Sequence, residues 1–350
     1  MMHERKKLLP SHHRFTRIAC YAASVLALVL ALDSPQVCGQ WYKNLGKKAE
    51  AIPVVFQQTP TQQELLALLT SRYQSIRQLN SSVTVTMAGM PKIRGDIQLE
   101  LPNRMRLKAG VMGVSTLGID MGSNENQFWI WSKASLPGNP PAFYFANHQE
   151  FKQSAVHQNI PLDPQWLIDA IGLVNPLPMD TYHGPFLGKN GHIELFTIHP
   201  TPSGSQIRRS IISASTGLIL QQAIYNSAKE RLAYSNSKNY KSYPLGQTGR
   251  TISLPHTVEL FVSQPGGTEE RIVVDLGKFA IDSLYGAPEK MWSMPDAGDG
   301  VTKINLAQVA SPLGPPPAQN VQNGGPGFNQ PNFAPNPRPN TGFRQSGYNR

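Results

Sequence analysis

Cysteine is nearly absent: the 350 residues contain two, Cys20 and Cys38, both near the N-terminus. A chain that begins after residue 39 then has no thiol, which excludes a disulfide framework, a thiolate metal site and a cysteine nucleophile. Charge is also sparse, at 15% Asp, Glu, Lys and Arg against 40% hydrophobic residues. The net charge of +10 is spread out. Residues 1–39 and 310–350 hold +3 each, which leaves +4 for residues 40–309. That middle has no concentrated basic face of the kind phosphate backbones require, so nucleic acid is not an expected partner. No G-x-S-x-G elbow and no H-E-x-x-H pair occurs, and residues 184–189 fall one residue short of a phosphate loop. No catalytic residues, metal or cofactor are expected.

Long apolar runs are missing as well. Residues 18–32 form an uncharged, mostly apolar run that follows a basic start and is broken by Asp33, Ser34 and Pro35. It is shorter than the ~20 residues of a spanning helix. The pattern predicts a secretory signal peptide over 1–39, cut between Gly39 and Gln40, and hence an exported protein. The rival reading acylates Cys38 and anchors the chain to a membrane. Residues 40–58 read as a linker.

What remains is patterned. Leu65, Leu69, Tyr73, Ile76 and Leu79 recur at helical spacing, and Thr61-x-x-Glu64 fits a capping box, predicting a helix over 60–79 with Pro60 in its first turn. Strand signals then follow one another. Val83, Val85 and Met87 alternate with polar residues, as do Ile97, Leu99 and Leu101, then Met105 and Leu107. Further strands are predicted at 114–121, 127–132, 142–145, 192–199, 207–213, 218–225, 231–240, 257–263 and 271–276, with Asn190-Gly191 and Thr216-Gly217 as turns. One helix interrupts them. Asp163 caps it, Pro164 starts it, Trp166, Leu167, Ala170 and Ile171 are its apolar residues, and the proline-rich stretch 176–185 ends it. The strand carboxylates, Asp120 and Glu259 among them, are expected on a solvated face. Phe128 and Ile130 alternate with Trp129 and Trp131, so both faces of that strand are apolar, which fits either burial on both sides or one face lining an apolar cavity. From about residue 310, Pro, Asn, Gly and Gln dominate without an acid, which predicts a disordered tail.

The run Gly95-Asp96-Ile97-Gln98-Leu99-Glu100-Leu101-Pro102-Asn103-Arg104-Met105 resembles the periplasmic lipoprotein-carrier family, LolA and LolB. So do the turn and aromatic strand from Ser123 to Trp131 and the aromatic-x-x-Pro Trp292-Ser293-Met294-Pro295. The likeness spans about residues 60–300 in outline and lies more in the order of these motifs than in any one. An arginine that directly precedes the proline helps hold the lid in the LolA carrier; Leu101 stands there in this chain.

The resemblance implies a mainly β fold with helical cover: a half-open antiparallel β-barrel over 59–309, with an N-terminal helix and an inserted lid helix. It also implies a monomeric, non-enzymatic protein in the periplasm or envelope of a Gram-negative-type bacterium. The expected ligand is a lipid or the acyl chains of a lipoprotein, with the membrane surface as a further partner. The apolar face would be Val83, Val85, Ile97, Leu99, Met105, Leu107, Phe128 and Ile130, and the lid Leu65, Leu69, Trp166, Leu167 and Ile171. Two other readings stay open. One is a structural or interaction protein with a closed β core and a partner-binding tail. The other is an exported hydrolase using His192, His199 or Asp275.

Overall fold

The computed structural model describes residues 52–309, apart from 89–90, 112–113, 133–141, 155, 158–163, 203, 247–248, 264–267 and 285–287. The signal segment, Cys38, most of the linker, Asp163 and the tail from residue 310 lie outside the described residues.

Helix α1 spans Gln62–Gln74 and begins with the expected capping box: the Thr61 hydroxyl accepts from Glu64 N–H, and Thr61 N–H donates to the Glu64 carboxylate at 2.8 Å. Pro60 precedes the cap instead of sitting in the first turn. The helix is shorter than its apolar stripe predicts. Ser75 closes it, donating its hydroxyl to Arg72 O at 2.7 Å. Leu79 then enters strand β1 (Gln78–Met87) opposite Leu99, because β-branched Val83, Thr84 and Val85 favour the pleated conformation.

Five strands follow: β2 (Ile93–Glu100), β3 (Arg104–Val111), β4 (Val114–Ser123), β5 (Gln127–Ser132) and β6 (Ala142–Asn147). Two short helices, α2 (His148–Gln153) and α3 (Pro164–Ala170), interrupt them. The second run comprises β7 (Thr181–Leu187), β8 (His192–Thr201), β9 (Gly204–Ser213), β10 (Ile219–Tyr225), β11 (Arg231–Lys238), β14 (Thr257–Ser263) and β15 (Glu269–Leu276). Between β11 and β14 lies a separate hairpin, β12 (Lys241–Pro244) with β13 (Thr251–Leu254). Strand β16 (Ala280–Ile281), helix α4 (Pro288–Met291) and strand β17 (Thr302–Asn305) complete the chain as described. Helix α2, strands β7, β12, β13, β16 and β17, and helix α4 are not among the sequence expectations.

The fold is mainly β. Fifteen strands form one sheet in the order β17-β6-β5-β4-β3-β2-β1-β15-β14-β11-β10-β9-β8-β7, with β16 beside β1. All pairs are antiparallel except β17 with β6. The two end strands do not pair with each other, so the sheet stays open. Strand β1 joins the two runs by pairing with β2 on one side and β15 on the other. The turn at Asn190-Gly191 has positive φ at both residues, 57° and 70°, as a tight hairpin between right-twisted strands requires. Among the described residues, no helix is long and apolar enough to cross a membrane.

Helix α3 ends earlier than the proline-rich stretch predicts. Gly172, at φ 91°, donates its N–H to Asp169 O, and Leu173 N–H reaches back to Ile168 O. This left-handed glycine cap satisfies the last carbonyls, so the prolines follow a stop that is already made.

Candidate functional site

Directly opposed residues in neighbouring strands share a face of the sheet. The pairing therefore lines up Leu79, Leu99, Met105, Ser123, Phe128 and Ala146 across six strands. The next row on that face is Ser81, Ile97, Leu107, Met121, Ile130 and Tyr144. Val83 and Val85 extend it towards Leu276 and Val274 of β15. All eight residues of the expected apolar face lie on this one side. Gly95 within it is required by close approach: a Cβ there would sit 1.7 Å from Lys108 O.

The cover of this face is divided. Val83, Val85, Ile97, Leu99, Met105 and Leu107 form one apolar cluster with Trp166, Leu167, Ile168 and Ile171 around α3. Tyr243, Ile252 and Leu254 of the β12–β13 hairpin join it, as do Tyr73 and Ile76 from the end of α1. Phe128 and Ile130 belong to a second cluster beneath α2, with Phe151 and Leu306. Leu65 and Leu69 belong to a third, against Ile193, Leu195, Ile212 and Ile219. The expected lid is thus two covers over different parts of the sheet. The hairpin cover goes unread in the sequence because its strands have only four residues each, too few for alternation to register. Val83, Val85, Ile97, Leu99, Met105 and Leu107 are 0–4% exposed, so the face is filled by its own cover.

Polar contacts hold α3 down. Asp169, 2% exposed, pairs with Arg208 of β9 at 2.6 Å, and Gln165 donates to the same carboxylate at 2.9 Å. Ser237 of β11 donates its hydroxyl to Ala170 O at 2.7 Å. Burial and, secondarily, the charge of Asp169 push the Tyr73 phenol up to about 12. The helix is therefore docked through an ion pair between a buried carboxylate and a partly exposed arginine, as well as through apolar area. Arg72 ties α1 to the sheet, donating to Gly217 O and Thr216 O.

The opposite face is not uniformly solvated. Trp129 and Phe143 pack there with Ala297. Asp120, expected in solvent, is buried and paired with Arg106 through two contacts of 2.7 Å. Arg106 also donates to Met291 O and Ser293 O and lies 5.0 Å from the centre of the Trp129 ring. The carbonyl of Trp292 accepts from Asn124 Nδ2 at 3.1 Å. The segment that follows β16 thus forms a second layer over β3–β6. With this layer on one face and the α2 cover on the other, Phe128 and Trp129 of β5 are buried on opposite sides.

Glu259 is a further strand carboxylate drawn out of solvent. It accepts from Lys238 at 2.7 Å and from Arg271 at 2.6 Å, and these bonds hold its carboxyl near 2. A depressed carboxyl stabilises the fold above its ordinary value of 4.5 and loses that contribution as pH falls towards about 2. Urea midpoints measured from pH 7 to pH 2.5 should therefore fall more for the parent chain than for Glu259→Gln.

The hydrolase candidates do not converge. His192 and His199 stand at opposite ends of β8, and Asp275 lies on β15, five strands away, accepting from Thr257. Five strand spacings amount to about 24 Å. His199 instead bonds Asp180 at 2.7 Å. Among the described residues, no group of three His, Cys, Asp or Glu side chains could hold a metal ion.

No protein-family model matches the chain, and no curated protein matches it. Solved structures do. A LolA superfamily protein from Nitrosomonas europaea is similar at 10% identity and a TM-score of 0.38, over 65% of this chain and 97% of that one. A domain from Vibrio parahaemolyticus, assigned by name to outer membrane lipoprotein sorting, is similar at 9% identity and a TM-score of 0.40, over 65% and 96%. A DUF1329 family protein from Desulfovibrio piger is similar at 9% identity and a TM-score of 0.41, over 64% and 92%. The resemblance first read around residues 95–105 is to the LolA and LolB family, and one of these remotely similar structures, at 10% identity, is of a LolA superfamily protein.

Proposed function

We propose that this chain is a non-enzymatic cell-envelope protein that binds a lipid, or the acyl chains of a lipoprotein, on the apolar face beneath α3. The observation that carries this reading is the construction of the cover. A short helix, attached through chain on both sides, docks Trp166, Leu167 and Ile171 onto an open sheet, and its last turn is held by Asp169–Arg208 and Ser237–Ala170. Lifting α3 would bare a continuous apolar surface without breaking one strand pairing. An acyl chain laid there gains about 0.8 kcal/mol per CH₂ buried, so useful affinity needs no catalytic group. The names of the similar proteins, a LolA superfamily protein and a lipoprotein-sorting domain, agree with this reading. The carrier's lid arginine, replaced by Leu101 here, would have its counterpart in Arg208.

The complete closure of the face favours a second reading, a permanent core whose work is done elsewhere on the chain. Mass spectrometry of protein purified from its own envelope separates the two. A lipid-sized mass that is present under native conditions and lost on denaturation is expected. Arg208→Gln should raise the rate of acyl-probe dissociation about tenfold, because the buried Asp169 carboxylate that anchors α3 loses its counter-charge. Absence of any bound or exchangeable acyl chain in both proteins would leave the permanent core as the better account.

A further inference from the structure

The face beneath the covers is not apolar throughout. Pairing places Met87, Ile272, Leu260, Ser235, Gln222, Ser210 and Leu195 in one row across seven strands. The row is apolar at both ends and polar in its middle. Gln222 and Ser235 are each 0% exposed, and no hydrogen bond reaches either end of the Gln222 amide or the Ser235 hydroxyl.

The place of this pair in the fold is specific. Arg208 lies two residues from Ser210, and Ser237 two residues from Ser235, on the same face. These are the two side chains that reach Asp169 and Ala170 in the last turn of α3. Gln222 therefore sits between the two anchors of α3. On that helix, the indole N–H of Trp166 is likewise buried without a partner.

An amide buried with every hydrogen bond unmet is expensive, and leucine of similar volume would fill the space without that cost. Such groups are met by something the bare chain does not supply. We infer that Gln222 and Ser235 form a polar subsite for the amide linkage of an N-acylated ligand whose chain lies on the apolar face. The inference rests on the acyl-binding reading and specifies which acyl compounds the face takes. An ester offers only acceptors, which the Gln222 NH₂ and Ser235 hydroxyl can meet, but the Gln222 oxygen stays empty. An amide offers its carbonyl to the donors and its N–H to that oxygen. N-acyl groups occur on acylated polypeptide ends and on N-acyl lipids, and the linkage itself does not distinguish them.

The test titrates the full chain with three decanoyl probes: an N-decanoyl tripeptide, N-decanoylethanolamine and methyl decanoate. Both amides should bind about tenfold more tightly than the ester, a difference of about one buried hydrogen bond. Gln222→Leu should abolish that preference by weakening both amides more than the ester, and Ser235→Ala, the milder variant should the first fail to fold, should reduce it about threefold because an amide carbonyl accepts more strongly than an ester's. Preference for the tripeptide over the ethanolamide in the parent chain would identify acylated polypeptide as the source, and the reverse would identify lipid. Equal affinities for amide and ester in the parent chain would overturn the subsite while keeping acyl binding. So would a preference that survives both variants, the result expected if a buried water alone meets the amide. Failure of all three probes to bind would overturn the acyl-binding reading, and the subsite with it.

Discussion

Asp120→Ala should cost about 3–5 kcal/mol of stability, the range for removing one partner of a buried ion pair. Arg106 would keep its bonds to Met291 O and Ser293 O and its place against Trp129, but its charge would be left without a counter-charge in a buried site. One guanidinium nitrogen now donates to Asp120 Oδ2 at 2.7 Å and a second lies 2.7 Å from Oδ1, so a charge-assisted hydrogen bond is lost along with the ion pair. For a domain of this size the melting temperature should fall by about 10 °C. Chemical denaturation read by far-ultraviolet circular dichroism and by tryptophan emission checks this. Emission should shift first, because Trp129 and Trp292 are buried where the second layer meets the sheet. The paired replacement Arg106→Leu with Asp120→Leu should recover most of the loss, since it removes both desolvated charges together. A single replacement that costs under about 1 kcal/mol would mean that the pair is solvated, as surface pairs are.

That pair also marks where sequence reading stops. Alternation tells which residues of a strand share a face. It assigned Ile97, Leu99, Met105 and Leu107 to one side and Arg106 to the other, and the pairing bears this out. It cannot tell what lies against either side. Asp120 looked solvated because its face looked polar, and the layer that buries it comes from residues near 292, far along the chain. The capping box at Thr61 and Glu64 was legible because its partners are three residues apart. The true end of that helix was not, because Ile76 and Leu79 continue the helical spacing into a strand. For α3 the stop signal was Gly172, a left-handed cap readable in principle but overshadowed by the prolines behind it. The division of the cover into three clusters, and the polar middle of the Gln222 row, depend on which strands become neighbours across the sheet. No local pattern carries that information.

Leu99→Glu tests the covered face itself. Leu99 is 0% exposed and lies between Leu79 and Met105. A carboxylate there has no partner, so at pH 7 it costs several kcal/mol or takes up a proton. Burial raises the carboxyl above its unfolded value of about 4.3, so the penalty is full at neutral pH and fades as pH falls towards that value. The stability gap to the parent chain should narrow between pH 7 and pH 4, whereas Leu99→Gln, which is polar but uncharged, should show a gap independent of pH. The manner of failure separates the two readings of the face. If α3 lifts as a unit, the new charge is hydrated by undocking the helix. Tryptophan emission from Trp166 then moves to the red while the far-ultraviolet signal of the strands persists, and acyl probes lose affinity. If the face is a permanent core, water reaches residue 99 only by separating strands. Emission and strand signal then collapse together at one denaturant concentration. The strand pairing of β1, β2 and β3 on either side of Leu99 involves no residue of α3, which is why the first outcome is expected.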